Sequence, residues 1–234
     1  MKSIAPLLAL TLTTLIWSNS SAAFDTADDK TTAQSSEGFV RVDDSQMDIV
    51  YAKENINWHK YDSLFFAPVA TDNEHPEGYK PPKIRPGTDG MSASYDLREK
   101  DLARLADEYT AMVARVFNDE QPWKIVTEPS PTTLVIAAKI TDIRLAAPRE
   151  DSRKTGRQSF SRSYTQNSGS MVLIAQLQDS ISGEILAQVA DRGTTINQWK
   201  RNTSVFNWGD VKTILRNWIN TMKNGLIQLH ENDE

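Results

Sequence analysis

Two stretches with helical spacing, one alternating hairpin and several short β-branched runs place this 234-residue chain in the α+β class. The pieces fall in the order β-α-β-β-β-β-α. That order predicts a single domain over residues 38–230, in which a four- to five-stranded, mostly antiparallel sheet carries two amphipathic helices on one face.

The chain opens with Met1-Lys2-Ser3, followed by an apolar run from Ile4 to Trp17 broken only by small or hydroxyl residues and Pro6. A charged start before a short apolar run has the form of an export signal. A spanning helix needs about 20 mainly apolar residues, and this run gives way at Ser18-Asn19-Ser20-Ser21. Ser21-Ala22-Ala23 supplies the small residues that a signal peptidase requires, so residues 1–23 are expected to be removed and the mature chain to start at Phe24. Cleavage one residue earlier is one alternative, and retention as a membrane anchor is another that the polar residues after Trp17 oppose. Residues 24–37 have almost no large apolar side chains to repay the entropy of ordering, and they read as a flexible leader.

The domain is expected to begin near Gly38-Phe39-Val40; apolar residues from Met47 to Trp58 are scattered, with no clear period. Tyr61 to Val69 is a short aromatic-rich run ended by Pro68, which suits a buried strand. Clustered prolines and glycines make residues 71–90 a loop. Asp96 with Glu99 resembles a capping box, and Leu102, Leu105, Tyr109, Met112, Val113, Val116 and Phe117 then share one helical face. Arg104 and Glu108 on the opposite face are spaced for an exposed pair. Trp123 to Val126 is a short strand candidate, and Thr132 to Leu145, rich in Val, Ile and Thr, a longer strand. Met171 to Gln178 and Glu184 to Ala190 flank Ser182-Gly183 as a hairpin. Asn207 is expected to cap a last helix with Val211, Leu215, Trp218, Met222, Leu226 and Leu229 in one stripe.

The absence of cysteine excludes disulfides, thiolate metal sites, cysteine nucleophiles and the acylated cysteine of a bacterial lipoprotein. A formal net charge of −5 argues against general nucleic-acid binding. Apart from the leader, no stretch of the sequence approaches membrane-spanning length.

Several pieces in order resemble a family of bacterial putative lipoproteins known as domain of unknown function 3313. They are Gly38-Phe39-Val40, Tyr61-Asp62 with Ala67-Pro68-Val69, the hairpin from Gln178 to Ala187, Asp191-Arg192, and Trp208-Gly209-Asp210. The resemblance spans residues 38–229. It implies an envelope location and a small α/β domain, and it brings no established activity. The lipoprotein cysteine is missing here, so lipid anchoring is not implied.

Candidate chemistry is sparse. His59, His75 and His230 lie far apart, and no pair has helical metal-ligand spacing. His75 with Asp72, Glu74 and Glu77 reads as a solvated acidic turn rather than a cation site. Ser168-Gly169-Ser170 lacks the sharp turn of a serine nucleophile, and no phosphate-cradling glycine loop occurs. Asp179, Glu184 and Asp191 surround the hairpin, where acids serve local hydrogen bonding. Arg149, Arg153, Lys154, Arg157 and Arg162, with Phe160 and Tyr164, form a basic stretch suited either to an acidic partner or to a solvated loop. Trp199, Phe206 and Trp208 cluster before the last helix, where they either pack over the core or present a partner patch.

No catalytic residue, cofactor or metal is therefore expected. The reading is a non-enzymatic binding or scaffold module of the cell envelope, in the periplasm or peripheral to the outer membrane. Its unknown partner would be an envelope protein or component meeting Arg153, Lys154, Arg157, Arg162, Trp199 or Trp208. An unrecognised hydrolase and a carrier of a small apolar or lipid ligand are the alternatives.

Overall fold

A computed structural model describes residues 38–83, 93–117, 122–146, 149–150, 164–195, 198–202 and 204–231. The expected signal (1–23) and leader (24–37) lie outside the described residues, as do Arg153, Lys154, Arg157 and Arg162.

Twelve strands and two helices are described. The strands are β1 (Phe39–Arg41), β2 (Ile49–Lys53), β3 (Ser63–Phe66), β4 (Ala70–Thr71), β5 (Ala93–Ser94), β6 (Lys124–Ile125), β7 (Thr133–Leu145), β8 (Arg149–Glu150), β9 (Tyr164–Thr165), β10 (Gly169–Asp179), β11 (Ile185–Thr194) and β12 (Lys200–Arg201); the helices are α1 (Glu99–Val116) and α2 (Ser204–Glu231). Eight strands make one sheet in the order β1-β2-β11-β10-β7-β3-β6, with β4 also paired to β7. Two separate ribbons pair β9 with β12 and β5 with β8.

The α+β class and the single sheet agree with the sequence, but the strand count does not. Five strands of the main sheet have four residues or more: β2, β3, β7, β10 and β11. β3, β7, β10 and β11 fall in segments read as strands and β6 in the Trp123 to Val126 candidate, whereas β2 lies in the Met47 to Trp58 segment, where no period is visible. β1, β4 and β6, of three, two and two residues, owe their state to the neighbour they pair with. The sheet is antiparallel except where β3 and β4 pair with β7 and β3 pairs with β6. Parallel neighbours need a crossover, and the chain between β3 and β7 supplies it, including α1.

Alternation decides which side the helices cover. On β10, Met171, Leu173, Ala175 and Leu177 are buried; on β7, so are Leu134, Ile136, Ala138 and Ile140. These residues form one cluster with Leu105, Tyr109 and Met112 of α1 and with Leu215, Trp218, Ile219 and Met222 of α2. Both helices thus pack on one face, as expected. Gly193 lets α2 lie close to the sheet, because a Cβ there would come 2.2 Å from the Ile214 methyl Cγ2. Trp218 Nε1 donates to Asp191 Oδ2 at 2.6 Å and ties the helix to β11.

Both helix starts differ from the sequence reading. Arg98, not Asp96, precedes α1, and its backbone N–H donates to Asp101 Oδ2 at 3.1 Å. The acid three residues into the helix serves the exposed N–H that the cap position leaves open. Likewise α2 begins at Ser204, so Asn207 sits inside the first turn and does not cap it; its amide donates to Asn202 Oδ1 at 3.0 Å.

Candidate functional site

A cleft opens where the start of α1, the end of β7, the start of β10 and the first turns of α2 meet. Its volume is ≈ 130 Å³. Leu102 and Leu105, one helical turn apart, form one wall, and Val211 and Ile214, with the same spacing on α2, form the facing wall. Ile143, Met171 and Trp208 close the space between them. The Arg104 guanidinium lies 4.1 Å from the Trp208 ring centroid and holds the indole at the rim.

One edge of the cleft is polar. Ser168, 7% exposed, directs its hydroxyl to Asn207 Oδ1 at 3.1 Å and to Asp210 Oδ2 at 2.5 Å. Its backbone N–H donates to Thr195 Oγ1 at 2.9 Å. Gly169 continues this edge with φ +143°, and a Cβ there would lie 2.1 Å from the Arg144 carbonyl oxygen. A side chain at 169 would separate β10 from β7 at the mouth of the cleft. Chemically, the site offers an apolar slot with a hydrogen-bonding margin.

The displaced carboxylates lie elsewhere. Asp142 sits at a register shift between β7 and β10, with φ +45°. It accepts from His75 Nδ1, Arg144 Nε and Arg192 Nη2 at 2.9, 2.8 and 2.9 Å. Burial opposes its ionisation, yet the hydrogen bonds from Arg144, His75 and Arg192 prevail and hold its carboxyl below the usual range. Asp72 is depressed in the same way, with Lys139 and Thr141 overcoming burial. The acidic turn around His75 is therefore more structured than the sequence indicates: Asp72 and Glu74 face Lys139, and His75 turns inward to Asp142.

The hairpin acids are structural too. Asp179 is held well below the usual carboxylate range by Lys60, by the turn N–H groups of Ser182 and Ile181, and by Tyr61. Glu184 meets Lys53 at 2.8 Å. Asp191 accepts from the Asp48 N–H at 2.9 Å as well as from Trp218. With its carboxyl held this far toward the anion, Asp179 accepts hydrogen bonds and is a poor proton donor.

Of the six expected contact residues, two are described, and the structure separates them. Trp208 packs against the core and lines the cleft. Trp199 is 68% exposed, so of the two readings of the aromatic cluster, packing over the core does not hold for it. It adjoins β12, which pairs with β9 in a ribbon separate from the sheet. The Phe206 side chain and the remaining basic residues lie outside the description. The sequence also missed Leu102, Leu105, Val211 and Ile214 as cleft residues, since helical spacing marks them as inward-facing without showing whether the space opposite is filled.

Comparison with known proteins finds distant similarities. A protein from Xanthomonas campestris, XCC0632, is 12% identical with a TM-score of 0.39, covering 73% of this chain and 86% of its own. The PelC dodecamer protein from Paraburkholderia phytofirmans is 10% identical with a TM-score of 0.32, covering 67% and 87%. The hypothetical protein CT253 from Chlamydia trachomatis is 11% identical with a TM-score of 0.29, covering 57% and 71%. No curated protein matches the chain. The family model described as "Protein of unknown function (DUF3313)" matches residues 29–222. The chain belongs to that family.

Proposed function

We propose that the protein is an exported binding module of the cell envelope that grips an apolar anchor group of a partner protein in the cleft between α1 and α2. The observation that carries this reading is the apolar lining of an open ≈ 130 Å³ space bordered by Ser168 and Asn207. Pockets for whole small-molecule ligands run from about 300 to 1,000 Å³. A space of ≈ 130 Å³ suits one large apolar side chain, the kind of anchor that dominates protein–protein interfaces. The polar margin would then meet the partner's backbone beside that anchor. The apolar leader and the small residues at Ser21-Ala22-Ala23 support export with cleavage before Phe24 and a periplasmic location.

The test is photocrosslinking in living cells. Gly209 is exposed beside Trp208, and an added Cβ there meets nothing within 4 Å, so it accepts a photoreactive side chain at the rim. Exposed Arg216 provides a control position away from the cleft lining. A discrete adduct is expected from position 209, on a chain that begins at Phe24, and Val211→Trp, which plugs the cleft, should remove it. Equal adducts at 209 and 216, or an adduct indifferent to Val211→Trp, would refute the reading.

A further inference from the structure

The ribbon of β9 and β12 carries a second arrangement that the cleft does not use. Its register sets Arg201 opposite Tyr164 and Lys200 opposite Thr165. Side chains alternate along extended backbone, so Trp199 and Arg201, on either side of Lys200, share the ribbon face that holds Tyr164. Trp199 is 68% exposed and Tyr164 57%, and no other Phe, Tyr or Trp among the described side chains is exposed. Both exposed aromatic rings of the described molecule therefore stand on one short ribbon, outside the main sheet.

Charge is segregated in the same direction. The chain holds 26 Lys and Arg and 31 Asp and Glu, but residues 149–166 and 198–201 contain seven of the former and only two of the latter. The remainder is acidic. Trp and Tyr side chains beside cations match the membrane–water interface, where amphipathic rings sit at headgroup level and Lys or Arg are drawn to anionic lipid. We infer that the β9–β12 ribbon docks the protein reversibly on an anionic phospholipid surface, with Trp199 and Tyr164 entering the headgroup layer beside Arg201.

A purely acidic partner would satisfy the cations and leave both rings in water, whereas a lipid interface satisfies both. No described helix is long and apolar enough to cross a membrane, and two rings with a few cations make an exchangeable attachment, not a permanent one. The acidic remainder is repelled by the same surface, which turns the ribbon toward it. β9 leads into Ser168 and β12 follows Thr195, both at the cleft, so docking holds the cleft near the bilayer surface.

The test is flotation of the full mature chain with vesicles of phosphatidylcholine and phosphatidylglycerol in a three-to-one ratio, against vesicles of phosphatidylcholine alone. Binding to the mixed vesicles is expected to be much the tighter of the two and to weaken at about 0.5 M NaCl, where screening shortens electrostatic reach. Arg201→Gln should weaken it about fivefold, the share of one cation at an anionic surface, and Trp199→Ala at least as much. Trp199 is exposed, so its loss leaves the fold intact. Ile181, 69% exposed at the turn between β10 and β11, is the control, and Ile181→Ser should change nothing. No flotation, equal binding to phosphatidylcholine alone, full binding by Trp199→Ala, or an equal loss in Ile181→Ser would overturn the inference; binding to polyglutamate without flotation would assign the ribbon to an acidic protein instead.

Discussion

Asp142 combines two features that are each unusual alone: a left-handed backbone at φ +45° and a buried carboxylate facing two arginines and a histidine. Aspartate and asparagine tolerate that backbone better than other side chains with a Cβ. Asp142→Asn therefore keeps the conformation while removing the charge. It is expected to cost about 2 kcal/mol, since the arginines are partly exposed and water screens part of the loss. The pH dependence has a definite sign. A carboxyl depressed in the folded state adds stability above its unfolded value, about 3.9, and loses it as pH falls through the folded value. Urea unfolding followed from pH 7 down to pH 3 should show stability declining below about pH 4. The decline should be shallower in Asp142→Asn, and an identical pH profile would show that this cluster contributes nothing.

At the scale of elements, the contact between β11 and α2 depends on a missing side chain. Gly193→Ala would place a methyl 2.2 Å from Ile214 Cγ2 and 2.8 Å from Trp218 Cζ2. Overpacking of this kind costs about 1–3 kcal/mol. A lowered denaturant midpoint is expected, and Gly193→Ala combined with Ile214→Val should recover part of it; an unaltered midpoint in the single variant would mean that α2 shifts freely on the sheet. The same contact shows what was legible in the sequence. The stripes of α1 and α2 and the alternation of β7, β10 and β11 were readable because each spans many residues of one period. The two-residue strand β4 carries no period and arises from pairing with β7, whereas β6, equally short, falls inside the Trp123 to Val126 segment read as a strand. Helix starts were misread because Arg98 rather than Asp96 precedes α1 and α2 opens at Ser204, ahead of Asn207, and chain context chooses among neighbouring polar residues.

Across the whole molecule, a sheet covered on one face by two helices leaves a gap where the starts of α1 and α2 meet the end of β7 and the start of β10. Trp208 was visible in the sequence as part of an aromatic cluster, whereas the other cleft residues looked like ordinary core. Periodicity shows which side chains point inward; only the assembled fold shows where the interior is incompletely filled. The methionines provide a way to test that space directly. Met171 lines the cleft, while Met47, Met112 and Met222 are buried in the same core without lining it. The most direct measurement is a ¹³C-methyl methionine NMR titration with toluene, a stand-in for an apolar anchor. The account requires the Met171 resonance to move saturably while those of Met47, Met112 and Met222 stay in place, and Val211→Trp to abolish the movement. A stationary Met171, or all four methyls moving together, would contradict it.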